Sequence, residues 1–245
     1  MIIRRWLLVV WVFIALFGVV ACGSEPPDKD DYFPLNKGLS WEYRYQLTTL
    51  LKQEEGVYRV SNLGTAEVDG ETVTVRRTNE GRDYYLMRKA DGVYRYASRT
   101  LFQGEPVVDE PMRLVLPLPY SDDGERRWSS TTGTYVIHRA GPSTITTDPV
   151  PDFLMSYRVV SRDETVVVPA GKFEDCLLVE GVATLKVFAD PHVGYMDVPV
   201  KTREWYAPGV GLVKLERTEV LDTRIYKGGS YLFELVGVDG WLQAE

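Results

Sequence analysis

The residues able to do chemistry in this 245-residue chain are few and widely spaced. There are two histidines, His138 and His192, and two cysteines, Cys22 and Cys176. Asp190-Pro191-His192 brings two metal-ligand types together. A metal site needs three or four ligands, so the triplet reads as a surface loop and no metal is expected. Asp28, Asp30 and Asp31 lack the glycine and downstream glutamate of a calcium loop. Glu216 and Glu219 fall on opposite faces of a strand, which makes them poor acid–base partners. No Gly-x-Ser-x-Gly elbow, His-Glu-x-x-His pair or phosphate-binding glycine loop occurs. Cys176 follows Glu174 and Asp175, whose charges disfavour a thiolate, and it reads as an inert core thiol. The chain is therefore expected to be no enzyme, with no catalytic residue and no cofactor.

Cys22 is different. It closes Val19-Val20-Ala21-Cys22, behind Arg4-Arg5 and an apolar run over residues 6–20. The positive start, the apolar stretch and the small residue before Cys22 have the layout of a secretory leader. The run is short of the roughly 20 residues that span a bilayer comfortably. Together these residues resemble the lipobox of bacterial lipoproteins. That resemblance implies that residues 1–21 are a signal peptide, and that Cys22 is lipidated and anchors the chain to a membrane. Gly23, where Asp would retain a lipoprotein in the inner membrane, implies the outer membrane, facing the periplasm, if the source is a diderm bacterium. Residues 22–31, with Pro26-Pro27 and three Asp, read as a flexible tether.

The rest must be one folded domain over residues 32–245. Hydrophobic residues make up 44% and aromatics 12%, with 15 Tyr and 6 Trp, which suits strands. The formal net charge of −7 becomes −9 without the leader, whose only charges are Arg4 and Arg5. That balance argues against nucleic acid or anionic lipid as the main partner. With Cys22 lipidated, Cys176 has no partner for a disulfide.

Period-two alternation begins at Trp41-Glu42-Tyr43-Arg44-Tyr45 and recurs along the chain, with Asp69-Gly70 and Asp91-Gly92 as hairpin signals. No 3.6-residue stripe stands out; the only candidate helix is a short one around residues 152–155. The predicted fold is all-β: a large, strongly twisted antiparallel sheet curling into a half-barrel or open barrel. Pro34-Leu35, Gly38 and Trp41 are echoed by Pro117-Leu118, Gly124 and Trp128, which suggests two related halves meeting near residues 104–125.

Alternation also nominates a binding face. Tyr43-Arg44-Tyr45, Tyr58-Arg59-Val60, Tyr94-Arg95-Tyr96 and Tyr157-Arg158-Val159 put the aromatics on one side and each Arg on the other. Trp41, Tyr43, Tyr45, Tyr58, Tyr94 and Tyr96 would line a concave apolar face. Residues 112–119 carry Leu114 and Leu116 between prolines, which bar a central strand. They read as a crossover lid over that face. The competing reading is that these aromatics simply fill a core.

Two segments carry a family resemblance: Val168-Pro169-Ala170-Gly171-Lys172-Phe173 and Glu204-Trp205-Tyr206-Ala207-Pro208-Gly209-Val210-Gly211-Leu212-Val213-Lys214. With the entry over residues 33–41, they resemble a widespread group of bacterial envelope lipoproteins and periplasmic proteins of unassigned function. A looser similarity is to half-barrel envelope lipoproteins that carry lipid or lipoproteins. The resemblance implies a lipid-anchored envelope protein. The expected role is a non-catalytic binding or carrier module for an apolar ligand or lipidated partner; the alternative is a structural or assembly lipoprotein acting through protein–protein contacts. A lined cavity would favour the first, a filled core with an exposed apolar patch the second.

Overall fold

Alternating aromatic and charged residues do form strands, and about three quarters of the described residues belong to one. The computed structural model describes residues 28–120, 126–139, 150, 152–190 and 193–240. The proposed leader, Cys22, most of the tether and His192 lie outside them. Six strands precede the proline-rich middle: β1 (Ser40–Thr49), β2 (Gln53–Val68), β3 (Glu71–Thr78), β4 (Asp83–Lys89), β5 (Gly92–Arg99) and β6 (Val107–Pro117). Then come β7 (Arg127–Thr132), β8 (His138–Arg139), β9 (Phe153–Val168), β10 (Gly171–Asp190), β11 (Gly194–Ala207), β12 (Gly211–Asp222) and β13 (Tyr226–Asp239).

All pairs are antiparallel and belong to one sheet, in the order β6-β5-β4-β3-β2-β1-β13-β12-β11-β10-β9-β7, with β8 hung on β13. The first and last strands, β1 and β13, pair along ten residues, so the chain's two halves are zipped together at their outer ends. The twist of so many strands brings β6 and β7 back beside each other. They approach without pairing, so the sheet is a barrel with one unsealed seam.

Three sequence expectations need correction. The short helix at 152–155 is absent, because Phe153 already opens β9. Residues 112–119 are not a lid over the face: most of them belong to β6, an edge strand paired only with β5. Proline does exclude a central position, but an edge strand needs donors on one side only. The tether is also shorter than expected. Asp31 is docked, taking Arg88 in an ion pair at 2.6 Å while its carbonyl accepts the Gly209 N–H at 2.9 Å.

Residues 32–39 strap one end of the barrel. Tyr32 OH donates to the Asp175 carbonyl, Asn62 Nδ2 and Arg76 Nη2 donate to the Pro34 carbonyl, and Arg88 Nη2 donates to that of Phe33. The 207–211 motif turn meets this strap, with Gly211 against Pro34. In Ala207-Pro208-Gly209-Val210, Gly209 takes φ 70° and the Val210 N–H returns to the Ala207 carbonyl. This is the type II geometry that Pro then Gly encode. The Ala170 N–H reaches the Leu235 carbonyl at 3.0 Å, tying the other turn down.

The apolar residues divide into three clusters. One fills the interior along β9–β11 around Met155, Tyr157, Val179, Val200 and Tyr206. A second gathers near the strapped end around Leu39, Trp41, Trp205 and Leu235. A third, with Val73, Tyr85 and Ala97, lies on the opposite face of the sheet from Tyr84 and Leu86.

Candidate functional site

The interior is not completely filled. A cavity of about 290 Å³ remains inside the barrel. Its wall is aromatic on most sides: Phe33 from the strap, Trp41 and Tyr43 from β1, Tyr58 from β2, Tyr84 from β4, Tyr157 from β9, Tyr206 from β11 and Phe233 from β13. Both edges of the seam contribute, with Arg113, Leu114 and Val115 from β6 and Trp128 and Ser130 from β7. Tyr135, just after β7, also lines it, with its ring against Arg217 and Tyr231.

Of the eight residues nominated from sequence, Trp41, Tyr43, Tyr58 and Leu114 line this cavity. Trp41 Nε1 donates to the Val210 carbonyl at 2.8 Å, and Tyr43 OH to that of Leu212 at 2.9 Å. These bonds fix both rings against the β11–β12 turn. Tyr45 faces the same way but lies over Gly56 and stacks on Tyr231, away from the lining. Leu116 is fully buried in the interior core rather than presented to the cavity.

Tyr94 and Tyr96 are on the wrong side, and the arginine rule fails there with them. Val93 faces the interior core and alternation from it sends Tyr94 outward, where its OH meets Asp91. Arg95 then points inward and lines the cavity. The same alternation sends Tyr96 out against the outer cluster, and a register shift between Arg95 and Ala97 brings Ala97 there as well. Elsewhere the arginines do face out: Arg44, Arg59 and Arg158 pair with Glu234, Glu42 and Glu180 on the surface.

Sequence reasoning missed the polar half of the wall. Arg76, Arg95, Arg113, Glu204 and Ser130 all border the cavity. Two of these were legible. In Arg76-Arg77 one side chain must face in, and Glu204 shares its parity with Tyr206.

The polar groups differ in how well they are matched. Arg95 holds Asp109 through two bonds of 2.5 and 3.1 Å, so its charge is neutralised. Arg76 hydrogen-bonds only neutral acceptors, Asn62 Oδ1 and the Pro34 carbonyl, and lies over the Phe33 and Trp41 rings at 4.4 and 4.8 Å. Burial pulls its pKa down to about 10, against the pull of the nearby Tyr43, Tyr206 and Asp31, so it stays a cation at neutral pH. Glu204 accepts a 2.5 Å bond from Tyr206 OH. Burial raises its pKa, opposed by that bond and by Arg113 and Arg217. The phenols of Tyr43, Tyr58, Tyr157 and Tyr206 are all pushed up by burial, so they remain neutral donors.

Behind the wall is a buried ion pair. Arg217 Nε meets Glu219 Oε1 at 2.6 Å, with both side chains at most 1% exposed. Glu219 also accepts the backbone N–H groups of Tyr135, Val136 and Ile137. The pair thereby fixes the loop that presents Tyr135. Cys176 is fully buried, and burial, Asp175 and Glu164 push its thiol up to about 11. Among the described residues no cluster of three or more His, Cys, Asp or Glu could hold a metal ion.

Residues 137–222 match the model of the DUF3108-like family. The match takes in β9 to β12, which bring Tyr157, Glu204, Tyr206 and Arg217. The chain is also similar in structure to a candidate lipoprotein from Parabacteroides distasonis ATCC 8503, at 13% identity and TM-score 0.37, over 88% of this chain and 100% of the other. A candidate exported protein with a YmcC-like fold from Bacteroides fragilis NCTC 9343 gives 14% identity and TM-score 0.36, over 84% of this chain and 98% of its own. Among curated proteins no sequence matches.

Proposed function

We propose that this is a lipid-anchored envelope protein whose barrel is a non-catalytic binding or carrier module for an apolar ligand. The anchor rests on Cys22 and its apolar leader, and the outer membrane is the expected destination from Gly23. The observation that carries the binding reading is the aromatic-walled cavity bordered by both strands of the unsealed seam. A pocket of about 290 Å³ is at the low end of the range for small-molecule sites, roughly 300–1,000 Å³. It suits one chain or ring system rather than a two-chain phospholipid. The seam gives a route in that needs no sheet hydrogen bond to break.

The test is photolabelling of the full, membrane-anchored chain with a diazirine-bearing twelve-carbon fatty alcohol. Labelled peptides should map to Tyr43, Tyr157 and Tyr206. Tyr43→Ala should weaken labelling, whereas Tyr94→Ala, on the outer face, should leave it unchanged. Labelling confined to outer-face peptides, or equal loss in both variants, would move the weight to a structural role through protein contacts.

A further inference from the structure

The cavity wall carries more positive charge than it neutralises, and its unmatched donors sit on the two sides of the seam. Of the charged residues on the wall, Arg95 is taken by Asp109, and the adjacent Arg217 by Glu219. Among the described residues Arg76 and Arg113 make no ion pair; the one wall carboxylate, Glu204, accepts from Tyr206 and is acted on by Arg113 at longer range. Arg113, half-buried on β6, makes no hydrogen bond among the described residues although a guanidinium carries five donors. Across the seam on β7, Ser130 is 4% exposed and its hydroxyl also has no partner. Buried polar groups are normally hydrogen-bonded, and an orphan on a cavity wall calls for an explanation.

We propose that the ligand is a single-chain amphiphile with an anionic head group, the head held by Arg113 and Ser130 at the seam and the tail lying against Tyr43, Tyr157 and Tyr206. This inference rests on the carrier reading above. A carboxylate or phosphate monoester supplies what the wall lacks: one negative charge and oxygens for both a guanidinium and a hydroxyl. The amphiphile's geometry fits the barrel's, since the polar end meets Arg113 and Ser130 on the two sides of the seam while the tail meets the aromatic side.

The test uses the full chain anchored in phosphatidylcholine nanodiscs and the photoreactive alcohol as tracer. Dodecanoate, dodecyl phosphate, dodecanol and dodecylamine compete for labelling. Either anion should displace tracer at concentrations about ten-fold or more below dodecanol, the factor expected of a hydrogen bond to a charged group. The better of the two identifies the head-group source. Arg113→Met should erase that preference, and Arg113→Lys should restore part of it. Ser130→Ala should weaken the anions without lowering the melting temperature, because it removes an unsatisfied hydroxyl rather than a structural bond. If anion and alcohol compete equally, or the amine wins, the head-group assignment is overturned and the carrier reading stands. If the tracer labels no cavity residue of well-folded protein, both fall.

Discussion

Replacing Glu219 with Ala should damage this protein more than any comparable change at a surface carboxylate. Glu219 is fully buried and terminates five bonds: Arg217 Nε at 2.6 Å, the Tyr135 N–H at 2.9 and 3.1 Å to its two oxygens, and the Val136 and Ile137 N–H at 2.8 and 3.0 Å. Removing it strands the Arg217 charge, whose side chain is 1% exposed, and leaves three backbone donors without an acceptor. Breaking a buried pair from one side costs about 3–5 kcal/mol. Part of the donor penalty adds to this, although solvent reaches Tyr135 and can satisfy one of them. Against a total stability of roughly 5–15 kcal/mol, that is a large fraction. A domain this size loses about 2–4 °C per kcal/mol, so the melting temperature should drop by about 6–20 °C. Arg217→Met should cost less, because the three N–H groups still solvate the carboxylate. Differential scanning fluorimetry gives the melting temperatures. Hydrogen exchange at residues 135–137 locates the damage: slow in the parent, fast in Glu219→Ala. A shift under about 2 °C, or unchanged exchange there, would refute the idea that one carboxylate holds this loop.

Three further outcomes follow from single sites. Cys22→Ser should abolish lipid attachment and release the chain from membranes; continued membrane fractionation at the same mature size would contradict the lipobox reading. Gly229→Ala should fail to fold stably, since the added Cβ would lie 1.9 Å from the Thr48 carbonyl oxygen in the neighbouring strand, which circular dichroism would register directly. Asp83, buried between Arg77 and Arg99, has its pKa lowered by the Arg77 hydrogen bond, with Arg99 adding to it against the opposing effect of burial. A depressed folded pKa stabilises above the unfolded value and is lost as pH falls through the folded one. The parent should therefore lose stability below about pH 4 in a step that Asp83→Asn lacks.

How much of this was legible in the sequence differs between the sheet and the site. Strand alternation is a strong local signal, so the all-β class, the open-barrel curl and the inward Trp41, Tyr43 and Tyr58 could be read directly. What failed was parity where two residues competed for the interior. On β5 the choice lay between Val93 with Arg95 and Tyr94 with Tyr96, and hydrophobic bulk pointed the wrong way. Val93 wins because it meets Leu116 across the β5–β6 ladder inside the barrel, a long-range pairing invisible in a local window. The acidic overall charge is silent on the inner wall. It sums surface carboxylates that pair outward, and says nothing of arginines gathered on an inner wall. Glu219 does face away from Glu216, as alternation requires, but its structural use depended on a loop more than 80 residues away.

The seam itself is written into β6. Closing the barrel would require β6 to offer alternating donors and acceptors to β7 on the side away from β5. Pro111 and Pro117 have no N–H, and the register with β5 already breaks twice along this strand, between Val93 and Tyr94 and between Arg95 and Ala97. A ladder to β7 would therefore be interrupted even if the two edges touched. On the other side, β7 spans only six residues against sixteen in β9, so most of β9's outer edge lies beyond its reach. Edge strands are normally protected by prolines and irregularity against pairing with a second chain. Here the same features leave unpaired backbone beside the cavity, with Arg113 and Ser130 on its two lips. On the proposed carrier reading, protection from aggregation and access for a ligand come from one set of residues. Replacing Pro111 and Pro117 by Val should test this: donors restored on β6 should slow tracer entry to the cavity, whereas unchanged entry would place the route elsewhere on the barrel.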